Sequence, residues 1–226
     1  MPSVQDLAEL SLAAYDVTPK ATDWNLYRSF NGGSPHFSAA LFYRPSTDEC
    51  VLAYRGTDDV ADLFADVMIA LGRTFPQYRL AERYFLYSRD KYVGSSSFWL
   101  TGHSLGGGLA SMVAAKYDVP VVTFNAPGVL RSYSASSIAG LADAIAGDAS
   151  KMLNIRAAGD PVSIGTGPRM GRVLKVPNKR CYTEMYFPQM NDIAPGTVSY
   201  MLCTHSMRNL RDVLKRSPEF AKPITW

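Results

Sequence analysis

The sequence predicts an α/β fold with a mostly parallel central sheet, antiparallel strands at its N-terminal side and helices on both faces. Two short apolar runs, at residues 98–101 and 121–125, flank a stretch of small helix-forming residues, which is the β-α-β pattern of a parallel sheet. Two earlier runs, at residues 37–43 and 50–55, are separated only by a turn-like segment, which favours antiparallel neighbours. Helical and strand patterns then alternate along the rest of the chain.

The individual elements follow from hydrophobic periodicity and from the residues that stop helices and strands. At the start, Val4, Leu7 and Leu10 share one helical face, and Pro19 stops that helix. In chain order, the predicted elements are a helix over 4–14, an extended segment over 24–30 ending in a turn at 31–33, strands over 37–43 and 50–55, helices over 62–71 and 77–92, strands over 98–101 and 121–125 with a helix at 107–115 between them, a helix over 138–145, strands over 151–156 and 172–176, and a helix over 206–216. Between residues 179 and 202 no regular period is visible.

Composition limits the class of protein. The 226 residues suit one large core, so we expect a single domain over residues 1–226. Hydrophobic residues make up 47% and charged residues 19%, as in ordinary globular chains. The net charge of +3 lacks the dense basic footprint of a nucleic-acid-binding protein, so no nucleic-acid partner is expected.

The N-terminus and the cysteines bear on the compartment. The first ten residues carry acidic side chains and no basic region, which argues against a secretory signal. Cys50, Cys181 and Cys203 are odd in number and widely spaced, so we expect reduced thiols and no cysteine zinc site. These features predict a cytoplasmic protein or one exported without a cleaved signal peptide.

The pentapeptide Gly102-His103-Ser104-Leu105-Gly106 is the most informative motif. It stands between a buried strand and a helix of small residues, which is the context in which G-x-S-x-G presents a nucleophilic serine on a strained turn. Side chains at the two flanking glycines would collide with the adjacent strand and helix. The following helix N-terminus favours developing negative charge. We therefore expect Ser104 to be a nucleophile.

A serine nucleophile needs a base, and three histidines compete for that role. His36 lies far upstream, and His103 lies inside the turn with its side chain expected to project away from Ser104. In α/β-hydrolase chains the order is serine, acid, histidine. His205 is the histidine well downstream of Ser104, so it is the predicted base; a helix-capping or surface role is the alternative.

The acid that orients the base is chosen by its position after a strand. The candidates are Asp118, Asp143, Asp148, Asp160 and Asp192. Asp160 follows the predicted strand 151–156 after a tight turn, and the C-terminal edge of a parallel sheet carries the active site. Asp192, in a loop of unknown course, is the second choice. The structural alternative for Asp160 is a cap of the next turn.

Two N–H groups must stabilise the oxyanion of the tetrahedral intermediate. The backbone of Leu105, directly after the nucleophile, supplies one. Thr57, just past the strand 50–55, is placed to supply the second; its alternative role is a helix N-cap.

Four stretches, in order, resemble the class 3 lipases, the family that includes the fungal triacylglycerol lipases. They are Tyr54-Arg55-Gly56-Thr57-Asp58, the decamer from Thr101 to Ala110, Thr123-Phe124-Asn125-Ala126-Pro127-Gly128, and Gly159-Asp160-Pro161-Val162 with the later His205-Ser206. The resemblance covers roughly residues 1–210, and the decamer is its most specific part. Asn125 stands where the family usually has glycine.

This resemblance implies an α/β-hydrolase fold, long-chain esters as substrates, and neither a metal nor an organic cofactor. It gives Ser104, Asp160 and His205 the roles of a catalytic triad, and Thr57 and Leu105 the roles of oxyanion-hole donors. The segment over residues 58–75 is short for a lid, so phospholipids and shorter esters remain candidate substrates beside triacylglycerols. Bacterial relatives that act on phospholipids include delivered toxins, and that role stays open.

Two further features have both a functional and an ordinary interpretation. Apolar side chains crowd the stretch before His205 and suit an acyl pocket or simple loop packing: Tyr182, Met185, Tyr186, Phe187, Met190 and Ile193. Arg208, Arg211 and Lys215 share a helical face, which usually marks a solvated surface and alternatively attracts an anionic membrane.

The leading hypothesis is thus a serine lipase or esterase. Phospholipase A activity competes within the same class. A non-catalytic binding module on a hydrolase fold and an acyltransferase that uses the same triad are the alternatives from outside it. Oligomeric state is not encoded in any pattern we can identify.

Overall fold

A computed structural model of the chain describes residues 1–16, 18–31, 37–56, 76–92, 97–129, 149–167, 169–178, 181 and 198–226. In this part of the chain, seven strands form one sheet in simple sequence order. They are β1 (Asn25–Asn31), β2 (Ser38–Arg44), β3 (Glu49–Tyr54), β4 (Ser97–His103), β5 (Val121–Phe124), β6 (Met152–Ala157) and β7 (Arg172–Val176). Strand β2 pairs antiparallel with β1 and β3, and β3 to β7 are parallel, which confirms the predicted fold class.

The helices of the described residues lie on both faces of this sheet. They are α1 (Val4–Ala13), α2 (Pro76–Lys91), α3 (Leu105–Tyr117), α4 (Pro161–Gly165), α5 (Val198–His205) and α6 (Met207–Lys215), with 3₁₀ turns at Ala149–Lys151 and Pro218–Ala221. Ser3 and Asp6 form a reciprocal capping box that starts α1. None of the helices in the described ranges combines the length and the apolar character needed to cross a membrane.

Alternation along the strands divides the core between the two faces. In β3, Leu52 and Tyr54 point to one face while Val51 and Ala53 point to the other, as a period of two requires. Helices α2 and α3 cover the first face with Phe85, Leu109 and Val113. Helices α1 and α6 cover the second with Leu7, Leu10 and Leu210. Because the parallel strands end along one edge, the residues that directly follow β3, β4, β5 and β6 lie at that edge.

Helix α6 is joined to α1 by charge pairs. Arg211 Nη1 lies 3.0 Å from Glu9 Oε2, and Lys215 Nζ lies 2.6 Å from Glu9 Oε1. These two cations are therefore paired with Glu9 within the fold.

Two helices were not predicted from the sequence. Helix α5 falls largely in the stretch that showed no period, and α4 follows the predicted acid directly. The start signals of α4 are present, since Asp160 is its N-cap and Pro161 its first residue. The predicted helices over residues 62–71 and 138–145 lie outside the described residues, as does the turn after Asn31.

The expectation of three reduced cysteines is wrong for two of them. Cys181 and Cys203 form a disulfide, with their Cα atoms 5.8 Å apart. Their separation of 22 residues carried no sign of pairing, because pairing depends on the tertiary approach of α5 to the chain after β7. Cys50 is buried in β3 and takes no part in this bond.

Candidate active site

Ser104 lies at a sharp turn between β4 and α3. Its φ of 54° and ψ of −131° place a non-glycine residue in a sparsely populated backbone region, and the residue is fully buried. A Cβ on Gly102 would lie 2.6 Å from the backbone of Gly106, and a Cβ on Gly106 would overlap the carbonyl oxygen of Tyr54. The two glycines therefore let strand, turn and helix approach closely, as the motif predicted.

The carboxyl group of Asp160 has two roles, one with each oxygen. Oδ2 accepts a hydrogen bond from the backbone N–H of Ser163 at 2.9 Å and so caps α4. Oδ1 lies 2.7 Å from Nδ1 of His205. Asp160 has no exposed surface and His205 is 4% exposed, so this pair is shielded from water. One carboxyl group therefore caps α4, which was the structural alternative for Asp160, and also pairs with the ring of His205.

The remaining polar atoms of Ser104 and His205 are buried and unpaired. Neither Oγ of Ser104 nor Nε2 of His205 has a hydrogen-bond partner in the part of the chain that the structure describes. Because Nδ1 faces a carboxyl oxygen, it carries the hydrogen, and Nε2 of the neutral ring is left as an acceptor. Buried orphan polar atoms are rare and costly, and here a hydroxyl and an acceptor nitrogen are both left without a partner.

Gly56 brings the end of β3 against the turn that carries Ser104. A Cβ at Gly56 would lie 2.6 Å from the carbonyl oxygen of His103 and 3.1 Å from Cβ of Ser104. Leu105 is the first residue of α3, where N–H groups have no intrahelical acceptor. Thr57, the other predicted oxyanion donor, is the next residue after Gly56 and lies outside the described residues. The predicted acyl-pocket side chains between residues 182 and 193 also lie outside them.

His103 is not available as a base, because both of its ring nitrogens are engaged. Nε2 lies 2.8 Å from the carbonyl oxygen of His205, and Nδ1 lies 2.8 Å from the hydroxyl of Tyr15. Burial, and secondarily the neighbouring His205, lowers the pKa of His103 to about 3, so the ring is neutral at physiological pH. The hydroxyl of Tyr15 in turn accepts the N–H of Gly56 at 3.2 Å.

Asn125 is a site residue whose role sequence reasoning missed. It follows β5 with a φ of +46° and is fully buried. Its Nδ2 donates to the carbonyls of Thr204 and His205, and its Oδ1 accepts the N–H of Ala157. The one available signal was its departure from the glycine that class 3 lipases usually have at this position.

Comparison with known proteins identifies the class. A family model described as phospholipase-like, the Tle-like phospholipase domain, matches residues 3–182. The chain is 50% identical over 60 residues to the putative lipase ATG15 of Eremothecium gossypii, which is 24% of this chain and 11% of that protein. It is 30% identical over 116 residues to the putative lipase ATG15 of Cryptococcus neoformans var. neoformans serotype D, covering 51% of this chain and 21% of the relative. The matched chain thus spans only about a tenth to a fifth of these relatives.

Solved structures share the fold at low identity. The Lip2 lipase of Yarrowia lipolytica superposes with a TM-score of 0.53 at 19% identity, over 77% of each chain. A triacylglycerol lipase from Penicillium expansum gives a TM-score of 0.54 at 19% identity, over 77% of this chain and 79% of that one. A Rhizomucor miehei lipase in complex with its propeptide gives 0.54 at 14% identity, over 91% and 77%.

The fold is therefore that of the α/β-hydrolase lipases, and the resemblance to class 3 lipases is confirmed. Since the matching model spans most of the sequence, the chain belongs to the Tle-like phospholipase domain family. The proteins it is similar to are lipases, putative lipases and phospholipase-like proteins.

Proposed function

We propose that this protein is a serine hydrolase that cleaves carboxylic esters of lipids, with Ser104 as nucleophile, His205 as general base and Asp160 as the acid that orients it. The observation that carries the proposal is the buried His205–Asp160 hydrogen bond, which leaves Nε2 of His205 and Oγ of Ser104 buried without partners. The hydroxyl of Ser104 is a donor and Nε2 of His205 is an acceptor, so each atom offers what the other lacks.

The proposed reaction follows from the position of the ring hydrogen of His205 on Nδ1, which leaves Nε2 free to accept a proton. Oγ of Ser104 attacks the ester carbonyl carbon while Nε2 of His205 takes the hydroxyl proton. Asp160 holds the resulting imidazolium through Nδ1. His205 then returns the proton to the leaving alcohol as the C–O bond breaks, and the acyl chain stays on Ser104. A water molecule, deprotonated by Nε2, releases the fatty acid and restores the serine. The Ser104–His205 hydrogen bond is absent from the resting structure, and such bonds often tighten only when substrate binds.

The oxyanion is assigned to the backbone N–H groups of Leu105 and Thr57. The N–H of Leu105 opens helix α3, where the helix dipole also favours negative charge. Thr57 is retained as the second donor because Gly56, its neighbour, packs against Ser104.

A matched pair of serine variants tests the proposal. Ser104→Ala should abolish turnover of a p-nitrophenyl ester, because it removes the attacking atom. Ser111→Ala, also buried and seven residues further along the chain inside α3, should leave turnover within about twofold, as expected for a substitution outside the catalytic machinery. Undiminished turnover in Ser104→Ala would end the proposal. A wild-type protein that shows no ester turnover would favour the non-catalytic binding module.

Phospholipids are the second candidate substrate class, and the description of the matching family favours them. Phosphatidylcholine vesicles and a triacylglycerol emulsion, incubated separately with the protein, distinguish the two classes. Release of free fatty acid together with lysolipid from the vesicles indicates phospholipase A activity. Fatty acid released only from the emulsion indicates a neutral-lipid lipase. Ser104→Ala is the control that ties either product to this site.

For the compartment, we infer export rather than the cytoplasm. The support is the Cys181–Cys203 disulfide, since such bonds persist in oxidising environments and are rare where thiols are kept reduced. Fractionation of the producing cells followed by electrophoresis without reductant tests this, and a reduced cytoplasmic pool would overturn it.

A further inference from the structure

The carbonyl oxygen of His205 accepts two side-chain hydrogen bonds. Nε2 of His103 donates to it at 2.8 Å, and Nδ2 of Asn125 donates to it at 3.0 Å. Helix α5 ends at His205, and the last carbonyls of any α-helix lack intrahelical donors. Two residues from other elements therefore satisfy the helix end that carries the proposed base.

Asn125 forms hydrogen bonds with both the nitrogen and the oxygen of its side-chain amide. Nδ2 also donates to the carbonyl of Thr204 at 3.1 Å, while Oδ1 accepts the N–H of Ala157 at 2.8 Å. Ala157 ends β6, three residues before Asp160. One buried side chain thus joins the strand that leads to the acid with the helix that ends at the base. Its positive φ of 46° is a conformation that asparagine tolerates better than most residues do.

His103 links the same carbonyl to the opposite side of the site. A carbonyl can only accept, so Nε2 of His103 carries its hydrogen and Nδ1 accepts from the hydroxyl of Tyr15. The same hydroxyl accepts the N–H of Gly56. A chain of hydrogen bonds therefore runs from Gly56 at the end of β3, through Tyr15 and His103, to the backbone of His205.

We propose that Asn125 and His103 are positioning residues that clamp the main chain of His205, so that Asp160 fixes the direction of the ring while the clamp fixes its place relative to Ser104. This rests on the proposed function, because it assumes that His205 is the base. The clamp acts on Cα of His205 through its carbonyl, whereas the carboxyl of Asp160 acts on the ring through Nδ1.

Loss of the clamp should lower kcat and leave KM nearly unchanged. The imidazole has to meet the hydroxyl of Ser104 at hydrogen-bond distance, and a displacement of about 1 Å costs up to about 100-fold in rate. Neither Asn125 nor His103 has a side-chain nitrogen left to contact substrate, since each is engaged within the protein.

Asn125→Asp and Asn154→Asp form the matched test. Each replaces a buried asparagine on adjacent segments by an isosteric residue and removes its donors. Asn154 donates to the carbonyls of Met170 and Arg172 and does not contact His205. We expect Asn125→Asp to lower kcat about 10- to 100-fold with KM within about twofold, while Asn154→Asp keeps kcat within about twofold even where its melting temperature falls.

A second pair keeps the proposal testable if Asn125→Asp does not fold. His103→Gln can place an amide donor where Nε2 stands, and His103→Leu cannot. We expect the glutamine variant to retain kcat within about fivefold and the leucine variant to lose about 10- to 100-fold. Equal kcat in His103→Gln and His103→Leu, or an equal loss of kcat in Asn125→Asp and Asn154→Asp, would overturn the clamp. Either result would leave the proposed function intact, provided that the wild type shows turnover that depends on Ser104. A wild type without Ser104-dependent turnover would overturn the proposed function itself.

Discussion

Nδ1 of His205 lies 2.7 Å from Oδ1 of Asp160, and the other oxygen of the same carboxyl group caps helix α4 through the N–H of Ser163. The cap fixes the rotation of the carboxyl group before the histidine is considered. Because a backbone N–H holds Oδ2, Oδ1 is presented to His205 in one direction. Local helix geometry after β6 therefore prepares the acid for its proposed role.

Asp160→Asn separates the two functions of this side chain. The amide oxygen can still cap α4, so the free energy of unfolding should fall by less than about 1 kcal/mol. The amide nitrogen facing Nδ1 would favour the opposite tautomer, and kcat should fall about 10³- to 10⁴-fold if Asp160 has the role that the acid has in Ser-His-Asp enzymes. Ester turnover and denaturant unfolding measure the two effects. Asp160→Ala should lose both activity and about 1 kcal/mol of stability; an active Asp160→Asn would argue against the triad.

Gly56→Ala should damage the site with only moderate loss of stability. The added Cβ would lie 2.5 Å from the hydroxyl of Tyr15 and 2.6 Å from the carbonyl oxygen of His103, so the end of β3 must move away from Ser104. Overpacking of this kind costs about 1–3 kcal/mol. We expect kcat to fall at least about 10-fold, because Gly56 packs against the proposed nucleophile and adjoins Thr57, a proposed oxyanion donor. Gly108→Ala is the control, because its Cβ would meet only side-chain atoms, of Pro127 at 3.1 Å and of Val129 at 3.3 Å. Equal kcat in the two variants would contradict the prediction.

Strands β2 to β5 were predictable because each contains a short apolar run bounded by turn residues, whereas the mostly exposed β1 was predicted only as an extended segment. Helix α2 was predictable because its apolar residues recur with a helical period. The segment that forms α5 lacks a contrast between apolar and polar positions, since residues 198–202 are nearly all apolar or small. The disulfide and the contacts of Asn125 depend on residues far apart in sequence, which no local pattern reports.

At the site, the nucleophile turn and the pairing of Asp160 with His205 followed from motif, chain order and strand ends. The structure pairs both ring nitrogens of His103, and the link of this side chain to His205 was not predicted. A lone histidine inside a turn motif carries no local sign of its partner, which lies 102 residues away.

Protein stability should fall in mild acid because of His103. The folded protein keeps this ring neutral until about pH 3, since burial lowers its pKa to about 3, whereas the unfolded chain takes up the proton near pH 6.5. Between these values the unfolded state binds more protons, so the free energy of unfolding decreases as pH falls, by up to about 1.4 kcal/mol per pH unit from this group. The free energy of unfolding can be measured by urea denaturation of the wild type and of His103→Gln between about pH 6.5 and pH 4. It should depend less steeply on pH in the variant. Identical slopes would contradict the buried neutral histidine.

Reduction of Cys181–Cys203 should destabilise the protein and lower its activity. The bond closes a loop with a sequence separation of 22, which corresponds to about 3 kcal/mol in the chain-entropy account. Cys203 lies two residues before His205, so loosening of α5 also reaches the proposed base. Thermal melts and ester turnover with and without reductant measure both effects. A Cys181→Ser, Cys203→Ser double variant should be as unstable as the reduced wild type and indifferent to reductant.

The most direct test of the central claim is covalent labelling of Ser104 by a fluorophosphonate, with the modified residue located by peptide mass spectrometry. The account predicts a single adduct on Ser104 in the wild type, and labelling slowed at least about 100-fold in His205→Ala because the base is gone. An unlabelled Ser104 in folded protein, or labelling at the same rate without His205, would contradict it.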